Sequence, residues 1–113
     1  MKPSDDMNKM DSSPEAAGRA DLPGGKAGAL RIGVVEDDER MRAILCKWLE
    51  SIELFTCVGS FGDGISAVES LPSCRPQIVL MDINLPGLSG VECVRRLKDQ
   101  MPDTQFIMLT VYE

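Results

Sequence analysis

The chain has 113 residues, of which 12 are Lys or Arg and 18 are Asp or Glu, giving a formal net charge of −6 at pH 7. This length allows one small domain at most, and the negative charge argues against a nucleic-acid-binding surface within the chain. No apolar run approaches the roughly 20 residues of a membrane span, and residues 1–30 lack the apolar core of a signal peptide. We therefore expect a soluble, cytoplasmic protein that binds neither nucleic acid nor membrane.

The cysteines argue against a zinc site. Cys46, Cys57, Cys74 and Cys93 include no C-x-x-C pair, and the chain has no histidine, whereas structural zinc sites use closely spaced Cys and His ligands. Each cysteine falls in an apolar pattern or a turn. We expect four reduced, small, partly buried side chains.

Residues 1–29 are rich in Pro and Gly and contain a single Leu. Such a segment cannot bury enough apolar surface to offset its chain entropy. We predict a disordered N-terminal leader here, followed by one domain over residues 30–113. A functional arm and a misassigned start of translation are the alternatives for the leader.

The first predicted elements are a strand over residues 30–36 and the helix after it. The strand is a short apolar run that ends at Glu36, and Asp37 and Asp38 then precede the helix. Carboxylates at that place can cap the free N–H groups of the first turn. The apolar positions of the helix form one stripe: Met41, Ile44, Leu45, Trp48, Leu49 and Ile52. We expect Trp48 to pack against a sheet.

A second strand, over residues 54–60, leads to a helix that opens at residues 62–64 and closes at Pro72 and Pro76. Residues 77–82 then form an apolar run without alternation, which is typical of a strand buried on both faces. Ser89 begins a third helix, with Glu92 three residues later as a capping box. Residues 105–110 form a fourth strand. The apolar positions of the second helix lie three apart, at Ile65, Val68 and Leu71, and the apolar stripe of the third helix is Val91, Val94 and Leu97.

The predicted elements alternate as β-α-β-α-β-α-β with short links. This alternation indicates a parallel, doubly wound α/β sheet with right-handed crossovers and helices on both faces. In such a sheet the carboxyl ends of all strands emerge at one edge, which is where open α/β sheets bind their ligands.

Acidic and hydroxyl side chains follow three of the predicted strands. They are Glu36 with Asp37 and Asp38, then Asp82, then Thr110. Carboxylates gathered at one edge repel one another unless a cation joins them or one is protonated. Oxygen ligands without His or Cys favour Mg2+, and a divalent ion beside a carboxylate nucleophile can neutralise an incoming phosphoryl group. The alternative is that these acids are helix caps and solvated loop residues.

Three motifs in series, VVEDDERMR, VLMDINLPGLSGVE and MLT, resemble the CheY-like receiver domain of two-component response regulators, which has a flavodoxin-like fold. The resemblance covers residues 30–113. It implies that Asp82 is the phosphoacceptor and that Thr110 is the switch hydroxyl, which hydrogen-bonds the attached phosphoryl group. It also implies an Mg2+ site formed by Glu36, Asp37, Asp82 and the backbone carbonyl of Asn84.

The implied function is a phosphoacceptor module of a phosphorelay, not an enzyme. Its expected partner is a sensor histidine kinase or a phosphotransfer protein. Pro86 and Gly90 match the turn that shapes the loop after the acceptor. A weaker similarity to LuxR-type regulators implies a role in transcription regulation, although no DNA-binding segment lies in this chain.

The resemblance further implies a fourth helix, a fifth strand ending in an essential Lys, and a fifth helix, which these residues do not contain. We therefore expect an incomplete receiver, truncated after its fourth strand. That strand would be an exposed apolar edge, and the helix carrying Trp48 would have an open face. Such a chain would be marginally stable or would depend on a second copy in a homodimer.

Two further functions are open at this point. A non-phosphorylated pseudo-receiver, or a truncated fragment, could act as a protein-interaction module. A phosphatase with an aspartyl nucleophile also uses Asp after an apolar strand together with Mg2+. That class needs a second acid two residues after the nucleophile, where this chain has Asn84.

Overall fold

The computed structural model describes residues 26–109. Thr110 and, apart from residues 26–29, the predicted leader lie outside the described residues. Lys26 is the first of the described residues, and its ammonium donates hydrogen bonds to the carbonyls of Glu50 and Ile52 at 2.7 and 2.9 Å. This lysine therefore lies at the end of the first helix and not at the carboxyl edge of the sheet.

Four strands and three helices alternate within the described residues. They are β1 Leu30–Val35, α1 Glu39–Glu50, β2 Phe55–Phe61, α2 Gly64–Cys74, β3 Ile78–Asp82, α3 Gly90–Leu97 and β4 Gln105–Leu109. All strand pairs are parallel, and the sheet order is β2-β1-β3-β4. The predicted doubly wound, flavodoxin-like α/β architecture is confirmed. The chain adds β2 on one side of β1 and then crosses over to add β3 and β4 on the other side. The order of the strands therefore reverses between β1 and β3, and folds of this kind bind ligands at that point.

Each helix begins at a side chain that caps its first turn. Oδ1 of Asp38 accepts from the N–H of Met41 at 2.9 Å, and Oγ of Ser89 accepts from the N–H of Glu92 at 3.2 Å. These contacts satisfy N–H groups that have no partner inside the helix. The carboxylate of Glu92 contacts the guanidinium groups of Arg95 and Arg96 on the exposed face of α3.

The hydrophobic core has two unequal halves, one on each face of the sheet. The larger half lies under α2 and α3 and contains Val35, Ala67, Leu71, Val79, Met81, Leu85, Cys93, Leu97 and Met101. The smaller half lies under α1, and its buried members among the described residues are Ile32, Val34 and Leu49. The α1 side of the molecule is therefore the more thinly packed one.

The prediction that Trp48 packs against the sheet is wrong. Trp48 is 68% exposed and Ile44 is 53% exposed, whereas Leu49 is buried. Five of the six predicted positions lie in α1, and Ile52 lies beyond its end. These five positions cover more of the helix circumference than the sheet contacts, so only one side of the stripe reaches the core. The expected open face of this helix is thus present in the structure.

Two smaller predictions about the helices are also corrected. Pro72 lies inside α2, which continues to Cys74, so the proline does not close the helix. In α3 the buried positions are Gly90, Cys93 and Leu97, while Val91 is 49% exposed. Cys93 is buried because α2 and α3 approach closely, with Sγ of Cys93 3.6 Å from the carbonyl oxygen of Gly64.

Strand β4 lies at one edge of the sheet formed by the described residues. Ile107 on this strand is 46% exposed, as expected for an apolar edge strand. Within residues 26–109, none of the helices combines the length and the apolar character needed to cross a membrane.

Candidate functional site at the carboxyl edge of the sheet

Three carboxylates meet where β1 and β3 end. Glu36 follows the last residue of β1, Asp82 is the last residue of β3, and these strands are neighbours in register Val35 to Met81. One carboxylate oxygen from each of Glu36, Asp37 and Asp82 lies within 4.8 Å of the other two. Glu36 and Asp82 are each only 4% exposed, and Asp37 is exposed. The cluster therefore has a buried floor and one open side.

Backbone groups hold the two buried carboxylates in place. The N–H of Asp38 donates to Oε2 of Glu36 at 3.1 Å, and the N–H of Asn84 donates to Oδ1 of Asp82 at 3.0 Å. Nη1 of Arg42, in the first turns of α1, donates to the backbone carbonyl of Glu36 at 2.8 Å. The loops after β1 and β3 are thus fixed relative to the carboxylates that they carry.

The electrostatics of the cluster are unfavourable when all three groups are charged. Burial raises the pKa of the Glu36 carboxyl above its ordinary value, and the charge of the neighbouring Asp82 raises it further. The hydrogen bond from the Asp38 N–H opposes this rise in the Glu36 pKa. Burial and mutual repulsion make the fully charged form of the cluster unfavourable, and a bound cation would stabilise that form.

The residues of the cluster fit a hard divalent cation. All of its donors are carboxylate oxygens, the type of ligand that Mg2+ and Ca2+ prefer. In an octahedral Mg2+ site, ligand oxygens about 2.1 Å from the ion are separated by about 3 to 4 Å. The observed spacing therefore needs only small side-chain movements, and the open side next to Asp37 leaves room for water.

The other predicted site residues are placed as follows. Asp38 caps α1 instead of joining the cluster. The backbone N–H of Asn84 lies beside Asp82, while the use of its carbonyl as a ligand stays a prediction. Thr110 lies outside the described residues. The residue before it, Leu109, pairs with Asp82 in the sheet, and its carbonyl accepts from the N–H of Ile83 at 3.1 Å.

The loop after Asp82 is held by a close backbone approach. A side chain at Gly90 would place its Cβ less than 3 Å from the backbone carbonyl oxygen of Asp82, so only glycine fits there. The N–H of Gly90 also donates to the carbonyl of Ile83 at 3.2 Å. Gly87 has a φ of +73°, which suits the turn after Pro86. The predicted role of Pro86 and Gly90 in shaping this loop thus has a physical basis.

Arg42 is a residue of this region that the sequence reasoning missed. It reaches back from α1 to the carbonyl of Glu36 and also lies against Gly62, where a Cβ would meet Nη1 of the arginine within 3 Å. Its position six residues after Glu36, on the first turns of the helix, was the available signal. A long basic side chain there can turn back over the loop that precedes the helix.

Comparison with known proteins adds independent information. The family model of the response regulator receiver domain matches residues 32–113. A protein-glutamate methylesterase/protein-glutamine glutaminase from Myxococcus xanthus is 36% identical over 84 residues, which are 74% of this chain and 24% of that protein. The response regulator GacA from Pseudomonas viridiflava is 31% identical over 84 residues, which are 74% of this chain and 39% of GacA. The chain thus spans about two fifths or less of these relatives.

A solved structure supports the same comparison at the level of the fold. The response regulator protein TrrA from Thermotoga maritima, in complex with Mg(2+)-BeF, superposes with a TM-score of 0.65 at 30% sequence identity. The match covers 74% of this chain and 71% of the TrrA chain.

Proposed function

The chain belongs to the response regulator receiver domain family, and on this premise we propose that it is a phosphoacceptor module of a two-component phosphorelay. Asp82 accepts a phosphoryl group from the phosphohistidine of a sensor histidine kinase or a phosphotransfer protein. The observation that carries the proposal is the position of Asp82: a carboxylate 4% exposed, at the end of a central strand, with two further carboxylates within 4.8 Å.

The proposed reaction is a displacement at phosphorus. A carboxylate oxygen of Asp82 attacks the phosphoryl group, the P–N bond to the donor imidazole breaks, and its electron pair stays with the imidazole. The product is an acyl phosphate, a mixed anhydride that is reactive enough to serve as a transient signal. Because this chemistry needs mainly positioning, the hydrogen bond from the Asn84 N–H to Oδ1 of Asp82 supports the role of Asp82 as acceptor.

We assign Mg2+ to the acidic cluster as the cofactor of this reaction. Glu36, Asp37 and Asp82 would hold it through carboxylate oxygens, together with the backbone carbonyl of Asn84. When bound, the ion offsets the repulsion between these carboxylates and the incoming phosphoryl oxygens. The raised pKa of Glu36 and the all-oxygen donor set support this assignment, as does the Mg(2+)-BeF complex of TrrA.

The remaining elements of the function are proposed from family membership. Thr110 is the hydroxyl that hydrogen-bonds the attached phosphoryl group and passes the signal to a partner. The module acts in the cytoplasm, on its own aspartate and not as an enzyme on a separate substrate. We place it in transcription regulation because the transcriptional regulatory protein DegU from Brevibacillus brevis is 31% identical over 84 residues.

Phosphoryl uptake from acetyl phosphate tests the proposal. The full chain is incubated with the small-molecule donor and Mg2+, and phosphorylated protein is separated by a phosphate-binding gel. We expect Mg2+-dependent uptake that Asp82→Ala abolishes. The product should be labile to hydroxylamine, as expected of an acyl phosphate.

Asp103→Ala is the matched control for this experiment. Asp103 is an exposed aspartate between α3 and β4, so it lies at the amino edge of the sheet, away from the acidic cluster. Uptake by Asp103→Ala should equal that of the unmodified chain. Uptake by Asp82→Ala at the unmodified level would refute the assignment of the acceptor.

A second candidate function, a protein-interaction module that works without phosphorylation, is favoured by one observation. The outer face of α1 exposes Ile44 and Trp48, and large exposed apolar patches often mark interaction sites. Beryllofluoride, a phosphoryl mimic, separates the two functions. Mg2+-dependent binding of beryllofluoride by the full chain favours the phosphoacceptor, and its absence favours the interaction module.

A further inference from the structure

Two of the four thiols lie in direct contact on the α1 face of the sheet. Sγ of Cys57, on β2, donates a hydrogen bond to Sγ of Cys46, on α1, at 3.4 Å. The second acceptor near the Cys57 thiol is the carbonyl oxygen of Gly59 at 3.8 Å. Neither cysteine belongs to the acidic cluster, and the proposed phosphoacceptor function makes no use of the pair.

The backbone around the pair keeps the two sulfurs opposite each other. The carboxylate of Glu50, at the end of α1, accepts from the backbone N–H of Cys57 at 2.6 Å. The contact ties the last turn of the helix to the same residue of β2 that carries the thiol. The proximity of Cys46 and Cys57 therefore follows from how helix and strand are joined.

The two cysteines border a groove that is open to a small reagent. Cys46 and Cys57 are half-buried and line an open groove of about 530 Å3, together with Glu39, Arg42, Ala43, Val58, Gly59 and Ser60. Cys93 is instead fully buried, and its thiol contacts the backbone carbonyl of Gly64. A peroxide molecule can thus approach the pair but not Cys93.

We propose that Cys46 and Cys57 form a reversible intramolecular disulfide between α1 and β2 when the protein meets a hydroperoxide. A disulfide requires the sulfurs to move from 3.4 Å to about 2.05 Å apart. The change is small, and it falls in the thinly packed half of the core, where few neighbours resist it.

The reaction proceeds in two balanced steps. One thiol of the pair loses its proton and attacks one peroxide oxygen, the O–O bond breaks, a sulfenic acid forms, and the departing hydroxide takes up that proton as water. The sulfur of the other thiol then attacks the sulfenic sulfur, the S–O bond breaks, and the second thiol proton leaves with the departing hydroxide as water. In total two thiols lose two electrons and two protons, and one hydrogen peroxide becomes two waters.

Burial, and then the contact with Cys46, raises the pKa of the Cys57 thiol to about 12. The proton that this thiol keeps forms the hydrogen bond to Sγ of Cys46 at 3.4 Å, and the two sulfurs give the same disulfide whichever of them is oxidised first.

Oxidation of the full chain with a slight excess of hydrogen peroxide tests the proposal. Remaining thiols are alkylated, and the protein is digested without reduction and mapped by mass spectrometry. We expect a cross-linked peptide containing Cys46 and Cys57 and a loss of about 2 Da in the intact monomer. Because the bond closes a loop of about a dozen residues, Tm should rise by about 5 °C or more and return on adding dithiothreitol.

Cys74→Ser is the matched control because Cys74 is also half-buried but lies on α2. This variant should keep both the cross-link and the rise in Tm, whereas Cys46→Ser and Cys57→Ser should lose both. Four alkylatable thiols after peroxide treatment would overturn the proposal. So would a cross-link that involves Cys74 or a second chain, or a Tm that oxidation does not raise.

Discussion

Glu36→Gln should make the protein more stable when no divalent cation is present. The substitution removes one negative charge from the acidic cluster but keeps the shape of the side chain. The glutamine oxygen can still accept from the N–H of Asp38, as Oε2 of Glu36 does at 3.1 Å. The change in the free energy of unfolding therefore reports mainly on the repulsion between Glu36 and its neighbours.

The size of this effect follows from the separation of the carboxylates. The carboxylate oxygens lie within 4.8 Å of one another, and two unit charges at that outer limit repel by about 0.9 kcal/mol in bulk water and by about 3.5 kcal/mol at an effective dielectric constant of about 20. Glu36 and Asp82 are each 4% exposed, which places the pair between these limits. We expect Glu36→Gln to raise the free energy of unfolding by about 1 to 3 kcal/mol in EDTA.

Urea denaturation in EDTA, and then in Mg2+, measures the effect. Mg2+ should stabilise the unmodified chain, by about 2.7 kcal/mol at 100 times its Kd, and should stabilise Glu36→Gln much less. Glu69→Gln, an exposed position on α2, is the matched control and should change neither value. The reasoning is refuted if Glu36→Gln is no more stable than the unmodified chain in EDTA, or if Mg2+ stabilises both equally.

The same carboxyl gives a pH dependence with a defined sign. The pKa of Glu36 is raised in the folded state above its ordinary value of 4.5. Between these two pKa values the folded state binds a proton that the unfolded state has released, so stability falls as pH rises. In EDTA, the contribution of protonated Glu36 is complete below pH 4.5 and is lost as pH rises through the folded pKa. Glu36→Gln lacks this contribution. Subtracting its free energy of unfolding at each pH from that of the unmodified chain therefore gives the contribution of Glu36.

Further predictions concern the loop after the acceptor and the core. Gly90→Ala should lower stability by about 1 to 3 kcal/mol through overpacking against the Asp82 carbonyl and should reduce phosphoryl uptake. Val91→Ala, next to Gly90 but half exposed on the outer side of α3, should keep uptake, and equal uptake by Val91→Ala and Gly90→Ala would contradict this account. Leu71→Ala should cost about 2 to 5 kcal/mol in urea denaturation because Leu71 is fully buried. Trp48→Ala should change stability by about 0.5 kcal/mol or less, and a larger loss would show that the Trp48 side chain is packed.

The fold and the position of the acids could be predicted because each depends on local pattern. The unalternating run that ends at Asp82 indicates a buried parallel strand, and parallel strands bring their carboxyl ends together. The sequence therefore placed Glu36, Asp37 and Asp82 at one edge, and the structure brings their oxygens within 4.8 Å. The capping roles of Asp38 and Ser89 were predictable for the same reason, since caps depend on a few neighbouring residues.

The features that could not be predicted depend on what packs against what. An apolar stripe on α1 shows that a helix is amphipathic but not which part of the stripe meets the sheet, and Trp48 lies on the exposed part. In α3 the side chain that contacts the backbone of Gly64 in α2 is Cys93, which is less apolar than the exposed Val91. The contact between Cys46 and Cys57 joins elements whose register is set by the whole fold.

The most direct test of the central claim is to identify the residue that carries the phosphoryl group. The full chain is phosphorylated with acetyl phosphate and Mg2+, the acyl phosphate is reduced with borohydride, and the modified peptide is sequenced by mass spectrometry. The account predicts modification at Asp82, in the peptide that spans β3. Modification at Asp37 or Asp38, or no modified carboxylate at all, would contradict it.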